Sequence, residues 1–337
     1  MLGLVVGALV AVGCVGATDG APPVAGIEVP DGFEVVEIVT GLNGPTQLNR
    51  LPDGRLLVAE LNGGEKDGDG RVLAIEPGVE PAIGAADGAT VEVLADGLLT
   101  PTGVAAVGGE LWIMEQRALS RGPLDGGART TVLADLPFNG RSETTLTATD
   151  QGTVLYGTSG SSIGADGRPQ ADSGILWELD PDGEPIALSA GFKNAYAHVV
   201  DGDGQLWVTE VSDGRFDGER APDELVAVTP GVDHGWPRCI GDRTPVVEFG
   251  ADAGECEPGP PSQALFAPGA TPTSVVVSPW DADQLLVALW VEQRVVAVPT
   301  ATEGRPQEPA DVVTGEFRPQ HLLVDGDRLL IVEVDDQ

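Results

Sequence analysis

The chain has 337 residues, 53 of them acidic and 18 basic, for a formal net charge of −35. So few Lys and Arg exclude a nucleic-acid binder, which needs clustered cations to release counterions, and an electrostatic grip on anionic lipid. An apolar share of 42% excludes a disordered chain, and three cysteines exclude a disulfide-dense miniprotein.

In chain order, residues 1–13 are apolar and small and end at Cys14. The run is too short to span a bilayer and reads as a signal peptide over 1–14. Ala11-Val12-Gly13-Cys14 resembles the bacterial lipobox, which marks Cys14 for lipidation. Residues 15–30 read as a flexible tether rich in Gly, Ala and Pro. The expectation is an exported protein, a periplasmic or outer-surface bacterial lipoprotein, touching membrane only through that anchor.

Six apolar runs then recur: Leu56–Glu60, Leu111–Glu115, Val154–Thr158, Leu206–Glu210, Leu285–Leu289 and Leu329–Glu333. Several follow turns such as Pro52-Asp53-Gly54 or Asp201-Gly202-Asp203-Gly204. Runs of about five apolar residues, rich in β-branched types, fit strands buried on both faces. Flanking strands are visible at Thr46–Arg50, Arg71–Ile75 and Thr90–Leu94. Such units, spaced by 43 to 79 residues, predict an all-β, six-bladed β-propeller over 31–337. Phe33–Val39 is the expected closing strand, and the last blade lacks a visible third strand after Glu333.

The chemistry-bearing stretch is 191–241: Gly191-Phe192-Lys193-Asn194, Pro222-Asp223-Glu224-Leu225, Gly231-Val232-Asp233-His234-Gly235-Trp236-Pro237, then Cys239. In order and spacing it resembles the soluble quinoprotein glucose/sorbosone dehydrogenase family, with the sorbosone branch nearer because of the Cys after Gly-Trp-Pro. Gly41-Leu42-Asn43-Gly44-Pro45 leading to Glu60 resembles the family's first blade. The resemblance implies a funnel holding pyrroloquinoline quinone (PQQ) and calcium, a sugar or aldose substrate, and a His as base.

Carried over residue by residue, the resemblance makes Lys193, Asn194 and Arg318 cofactor-binding residues. It makes Gly218 and Glu219 carbonyl ligands of calcium, with Asp223 and Glu224 as supports. At the position of the family's catalytic His stands Arg141, which cannot act as a base. His321, near the last pair of strands, is the best spare base. His198 and His234 read as packed residues.

Glu60, Glu115, Glu210 and Glu333 share one repeat position. They either converge on a cation or accept backbone N–H groups, and a repeated position favours the structural role. Cys239 and Cys256 are the pair left for a disulfide in an exported chain. The leading reading is a PQQ-dependent sugar dehydrogenase-like propeller, damaged at its base. The alternatives are a metal-dependent lactonase or hydrolase using the glutamates, and a non-catalytic binding propeller.

Overall fold

The computed structural model describes residues 7–14, 24, 26–63, 68–76, 90–137, 144–160, 170–181, 183–212, 214–301 and 304–334. The fold is an all-β propeller, and none of its described helices is long and apolar enough to cross a membrane. From axis to rim, the first blade holds Pro45–Arg50, Leu56–Glu60, Gly70–Glu76 and Thr90–Leu98. The second holds Gly103–Val107, Glu110–Glu115, Ala118–Pro123 and Thr130–Leu133. The third holds Thr147–Ala148, Val154–Gly157, Ile175–Leu179 and Ile186–Ala190. The fourth holds Ala195–Val200, Leu206–Glu210, Asp223–Val228 and Ala264–Phe266.

Next comes a five-stranded sheet: Pro272–Val277, Gln284–Leu289, Arg294–Pro299, Ala310–Gly315 and, at its rim, Ile27–Glu28. The closing blade orders Pro319–Asp325, Arg328–Val334, Gly7–Cys14 and Phe33–Leu42.

The blade count differs from the expectation. Four-stranded blades number five against the six expected, because Ile27 and Glu28 pair with Gly315 and Thr314 and give the remaining sheet a fifth strand. That pairing also draws part of the 15–30 tether into the fold. Residues Gly7–Cys14, read as the core of an export signal, lie between Arg328–Val334 and Phe33–Leu42 and are antiparallel to both. A short run of small apolar residues suits a sheet interior as well as a signal. Val10 and Val12 are fully buried. Phe33–Leu42 reaches the sheet through this strand.

The second strands explain the ring. Side chains alternate faces along a strand. Leu56 and Val58 pack towards the closing blade, while Leu57 and Ala59 pack towards the second blade. Leu285, Val287 and Leu289 face the fourth blade, and Leu286 and Ala288 the closing blade. Six apolar clusters, one between each pair of neighbouring sheets, complete the circle.

The axis is polar and cross-stitched. Gln47 on the first blade donates to Leu146 O at 2.7 Å and accepts from Val104 N at 2.7 Å and Leu146 N at 3.0 Å. Hydroxyls at the starts of inner strands continue the stitching. Thr46 donates to Pro101 O, Thr102 to Thr144 O, Thr144 to Tyr196 O and Thr273 to Pro319 O. His198 and His321 are buried on the inner strands of the fourth and closing blades.

Burial pushes both imidazoles down to about 3, with His198 adding to the effect on His321, and pushes His234 down to about 4. Glu210 faces Glu224 on the neighbouring strand. Burial, then the charge of Glu224, pushes Glu210 up to about 8, and burial pushes Glu224 up to about 7.

Two outcomes are expected. Gln47→Leu leaves two buried N–H groups without acceptors and costs about 2–4 kcal/mol in urea unfolding. The depressed histidines contribute stability present above their ordinary value and lost as pH falls through it. The raised glutamates contribute stability fully present below their ordinary value of 4.5 and lost progressively as pH rises from there to their folded values of about 7 and 8. Thermal melts across pH therefore peak at about pH 6–7 and decline on both sides.

Candidate functional site

Three of the four repeated glutamates hold backbone. Glu60 accepts from Asn43 N at 3.0 Å and pairs with Arg71, which stands opposite it. Glu115 accepts from Leu99 N at 3.0 Å and from Arg129 at 3.2 Å. Glu210 accepts from Lys193 N at 2.5 Å and Asn194 N at 3.3 Å. In each case the carboxylate fixes the loop leading into the inner strand of its own blade. These three carboxylates are spent on backbone and arginine, each within its own blade, instead of converging on a cation. The fourth blade departs from the pattern, since Glu210 has Glu224 opposite it where Glu60 has an arginine.

The loop fixed by Glu210 carries two of the expected binding residues. Gly191 is required: its φ is +80° and an added Cβ would lie 2.0 Å from Asp233 Oδ1. The chain 233–236 crosses directly over it, with Trp236 N donating to Gly191 O at 2.9 Å. Phe192 stacks on His234 with ring centroids 4.6 Å apart. Lys193 is buried, and its ammonium sits 5.8 Å from the centroid of Trp236. Trp236 donates its Nε1 to Gly160 O at 2.7 Å and packs edge-on against Phe216 and Phe249. The Cys239–Cys256 disulfide, with Cα atoms 5.7 Å apart, closes the loop behind it. By the chain-entropy model that bond contributes about 3 kcal/mol.

Arg318 lies at the matching place before the inner strand of the closing blade, so it shares the end of the propeller occupied by Lys193 and Asn194. Its guanidinium stacks over Trp290, 4.6 Å from the ring centroid. Between the two loops Gln320 Nε2 donates to Tyr196 Oη at 3.4 Å, bridging the fourth and closing blades. His321 follows Gln320 into the strand, and its Nδ1 is buried with no hydrogen-bond partner. His198 is held on both sides, by Thr147 Oγ1 at 2.7 Å and Thr144 Oγ1 at 3.3 Å. Arg141 lies outside the described residues.

The expected calcium ligands are otherwise engaged. Gly218 O accepts from Arg215 Nη1 at 3.1 Å, within the hairpin of Arg215–Phe216 and Glu219–Arg220, where Glu219 is exposed. Asp223 accepts from Ser212 N at 2.7 Å and Thr271 N at 2.8 Å. Glu224 accepts from Gly241 N at 2.7 Å and from the Ser262 hydroxyl. A guanidinium on the carbonyl repels a divalent cation, so these residues do not fit calcium. Among the described residues no cluster of three or more His, Cys, Asp or Glu is arranged to hold a metal. Beneath the Lys193 loop, Glu210, Glu224, His234, Trp236 and Arg243 line a small pocket of about 30 Å³.

The family resemblance singled out Lys193, Asn194 and Arg318, and the structure puts all three at one end of the propeller. Trp290, Tyr196 and Gln320 went unseen. A signal for two of them exists: inner strands begin Pro45-Thr46, Pro101-Thr102 and Pro272-Thr273, while Ala195-Tyr196 and Pro319-Gln320 break that pattern.

No protein-family model matches the chain, and no curated protein does. Solved structures do. The holo PQQ domain of pyranose dehydrogenase from Coprinopsis cinerea superposes with a TM-score of 0.71 at 16% identity, over 94% of this chain and 99% of that one. The PQQ-bound aldose sugar dehydrogenase from Streptomyces coelicolor gives 0.63 at 19% identity, over 94% and 100%. A structure of a nidogen/laminin complex gives 0.52 at 11% identity, over 91% and 96%. At the level of fold, this chain is similar to the propellers of PQQ-binding sugar dehydrogenases.

Proposed function

We propose that this chain is a ligand-binding propeller of the sugar-dehydrogenase type. Its axial end takes a planar, carboxylate-bearing ligand of the PQQ class, and it oxidises sugars weakly or not at all. With the five-stranded sheet counted as a blade, the ring has six, as the family resemblance implies. The observation that carries the reading is a pair of cations at one end, each backed by an indole face: Lys193 on Trp236 and Arg318 on Trp290.

PQQ bears three carboxylates on a flat aromatic frame. Cations and flat apolar faces are the donor set that such a molecule requires. When bound, the quinone supplies a hydride acceptor. Lys193 and Arg318 neutralise carboxylates, Asn194 stands beside Lys193 on the same pinned loop, and the Tyr196–Gln320 pair closes the axis below.

Proton removal is the weak part. Arg141 remains protonated at any working pH. His321 is neutral, but burial pushes it down to about 3, which leaves a feeble base. Calcium does not fit. The lactonase alternative loses its support, because Glu60, Glu115 and Glu210 are committed to backbone N–H groups. Export is part of the proposal, supported by a disulfide of the kind that persists outside reducing compartments.

The test is a titration of PQQ into the purified protein, with and without calcium, followed by absorbance, thermal shift and a dye-coupled aldose assay. Binding is expected without a calcium requirement, with little turnover. Arg141→His is expected to raise turnover by about 10²-fold or more, the usual contribution of a general base. Lack of any PQQ response, or brisk wild-type oxidation, would overturn the reading.

A further inference from the structure

Five of the six tryptophans are accounted for. Trp177 donates its Nε1 to Thr158 Oγ1, Trp207 to Asp201, Trp236 to Gly160 O and Trp280 to Asp327 O. Trp112 has a buried Nε1 without a partner, but it is sealed in the core between the second and third blades. Trp290 also has a buried Nε1 without a partner, and it lies at the ligand end beneath Arg318.

We propose that the Trp290 indole N–H and the Arg318 guanidinium form a two-donor subsite for a ligand carboxylate. The proposal rests on the reading of this end as an anion site and names the group that is recognised there. An indole N–H donates and never accepts, so its partner must bring a lone pair. A donor shielded from water and left unspent is a standing cost, which an incoming acceptor removes. Beside a guanidinium the favoured acceptor is an anion. Arg318 has five donors, so it can meet a carboxylate and keep its other contacts.

The ring is fixed in advance. Trp290 N donates to Thr271 O at 3.1 Å, Val291 N to Ala270 O at 3.1 Å, and Thr271 N is itself held by Asp223. The two binding-end tryptophans therefore differ. Trp236 offers Lys193 only a face, because its N–H is committed. Trp290 offers Arg318 a face and the ligand a donor.

The experiment labels the indole nitrogens with ¹⁵N and assigns the Trp290 resonance by its loss in Trp290→Phe. Pyridine-2,6-dicarboxylate is titrated as the probe, with glucose as the uncharged control. The Trp290 N–H resonance is expected to move downfield with the dicarboxylate and to stay put with glucose. Trp290→Phe keeps an aromatic ring under Arg318, though a smaller one, and removes the donor. It should bind both PQQ and the dicarboxylate about tenfold or more weakly, the loss expected for one hydrogen bond to a charged group. A Trp290 resonance unmoved at saturating dicarboxylate overturns the subsite, and that measurement uses wild-type protein alone. If PQQ binds while Trp290 is silent, only the subsite falls. If neither PQQ nor the dicarboxylate binds, the subsite and the reading it rests on fall together.

Discussion

The structure depends on strands that are apolar on both faces. A strand such as Leu56–Glu60, buried at every position, cannot lie at the surface of a two-layer sandwich without exposing one face. Each sheet built around such a strand must be covered on both sides. A circle of sheets meets that demand for every member at once, since each lies between two others. The closing blade shows how strict the demand is. Its two C-terminal strands are completed by two from the N-terminus, and Val10 and Val12 fill the core against Leu286, Val295 and Ile331.

An apolar ring leaves its polar business to the axis and to the ends of the strands. Buried carboxylates at strand ends fix the leading loops, and hydroxyls and Gln47 tie one inner strand to the next. The fourth blade uses the same device differently. Glu210 still pins a loop, but the opposing residue is Glu224 and the nearby cation is Lys193, which the loop itself carries. Asp223 extends the arrangement to the next sheet by holding Ser212 N and Thr271 N together. The loops bearing Lys193, Trp290 and Arg318 are accordingly one connected unit.

Much of the fold was legible because one strand in each unit is apolar on both faces and recurs after a turn. The strand at Gly7–Cys14 was not legible as a strand, because eight small apolar residues satisfy a signal and a sheet interior equally. Ile27–Glu28 is too short to carry any pattern. At the site, Lys193 and Asn194 were legible through the motif around them. Asp223 and Glu224, expected as supports of a calcium site, accept backbone N–H groups and a hydroxyl, and spacing alone does not specify which partner a carboxyl group meets. Tyr196, Gln320 and Trp290 act through contacts between blades far apart in sequence, and no local pattern encodes those.

The closing blade has a kinetic consequence. Val12 lies opposite Leu329, so this sheet joins the two ends of the described chain. Every other sheet except the five-stranded one is built from a continuous stretch and can form while the rest is still disordered. Pairing the chain ends requires the largest loop closure in the molecule, and its entropic cost is met before its contacts are made. This sheet is therefore expected to be the last to pair on folding. The seam between Gly7–Cys14 and Arg328–Val334 is the clasp of the ring.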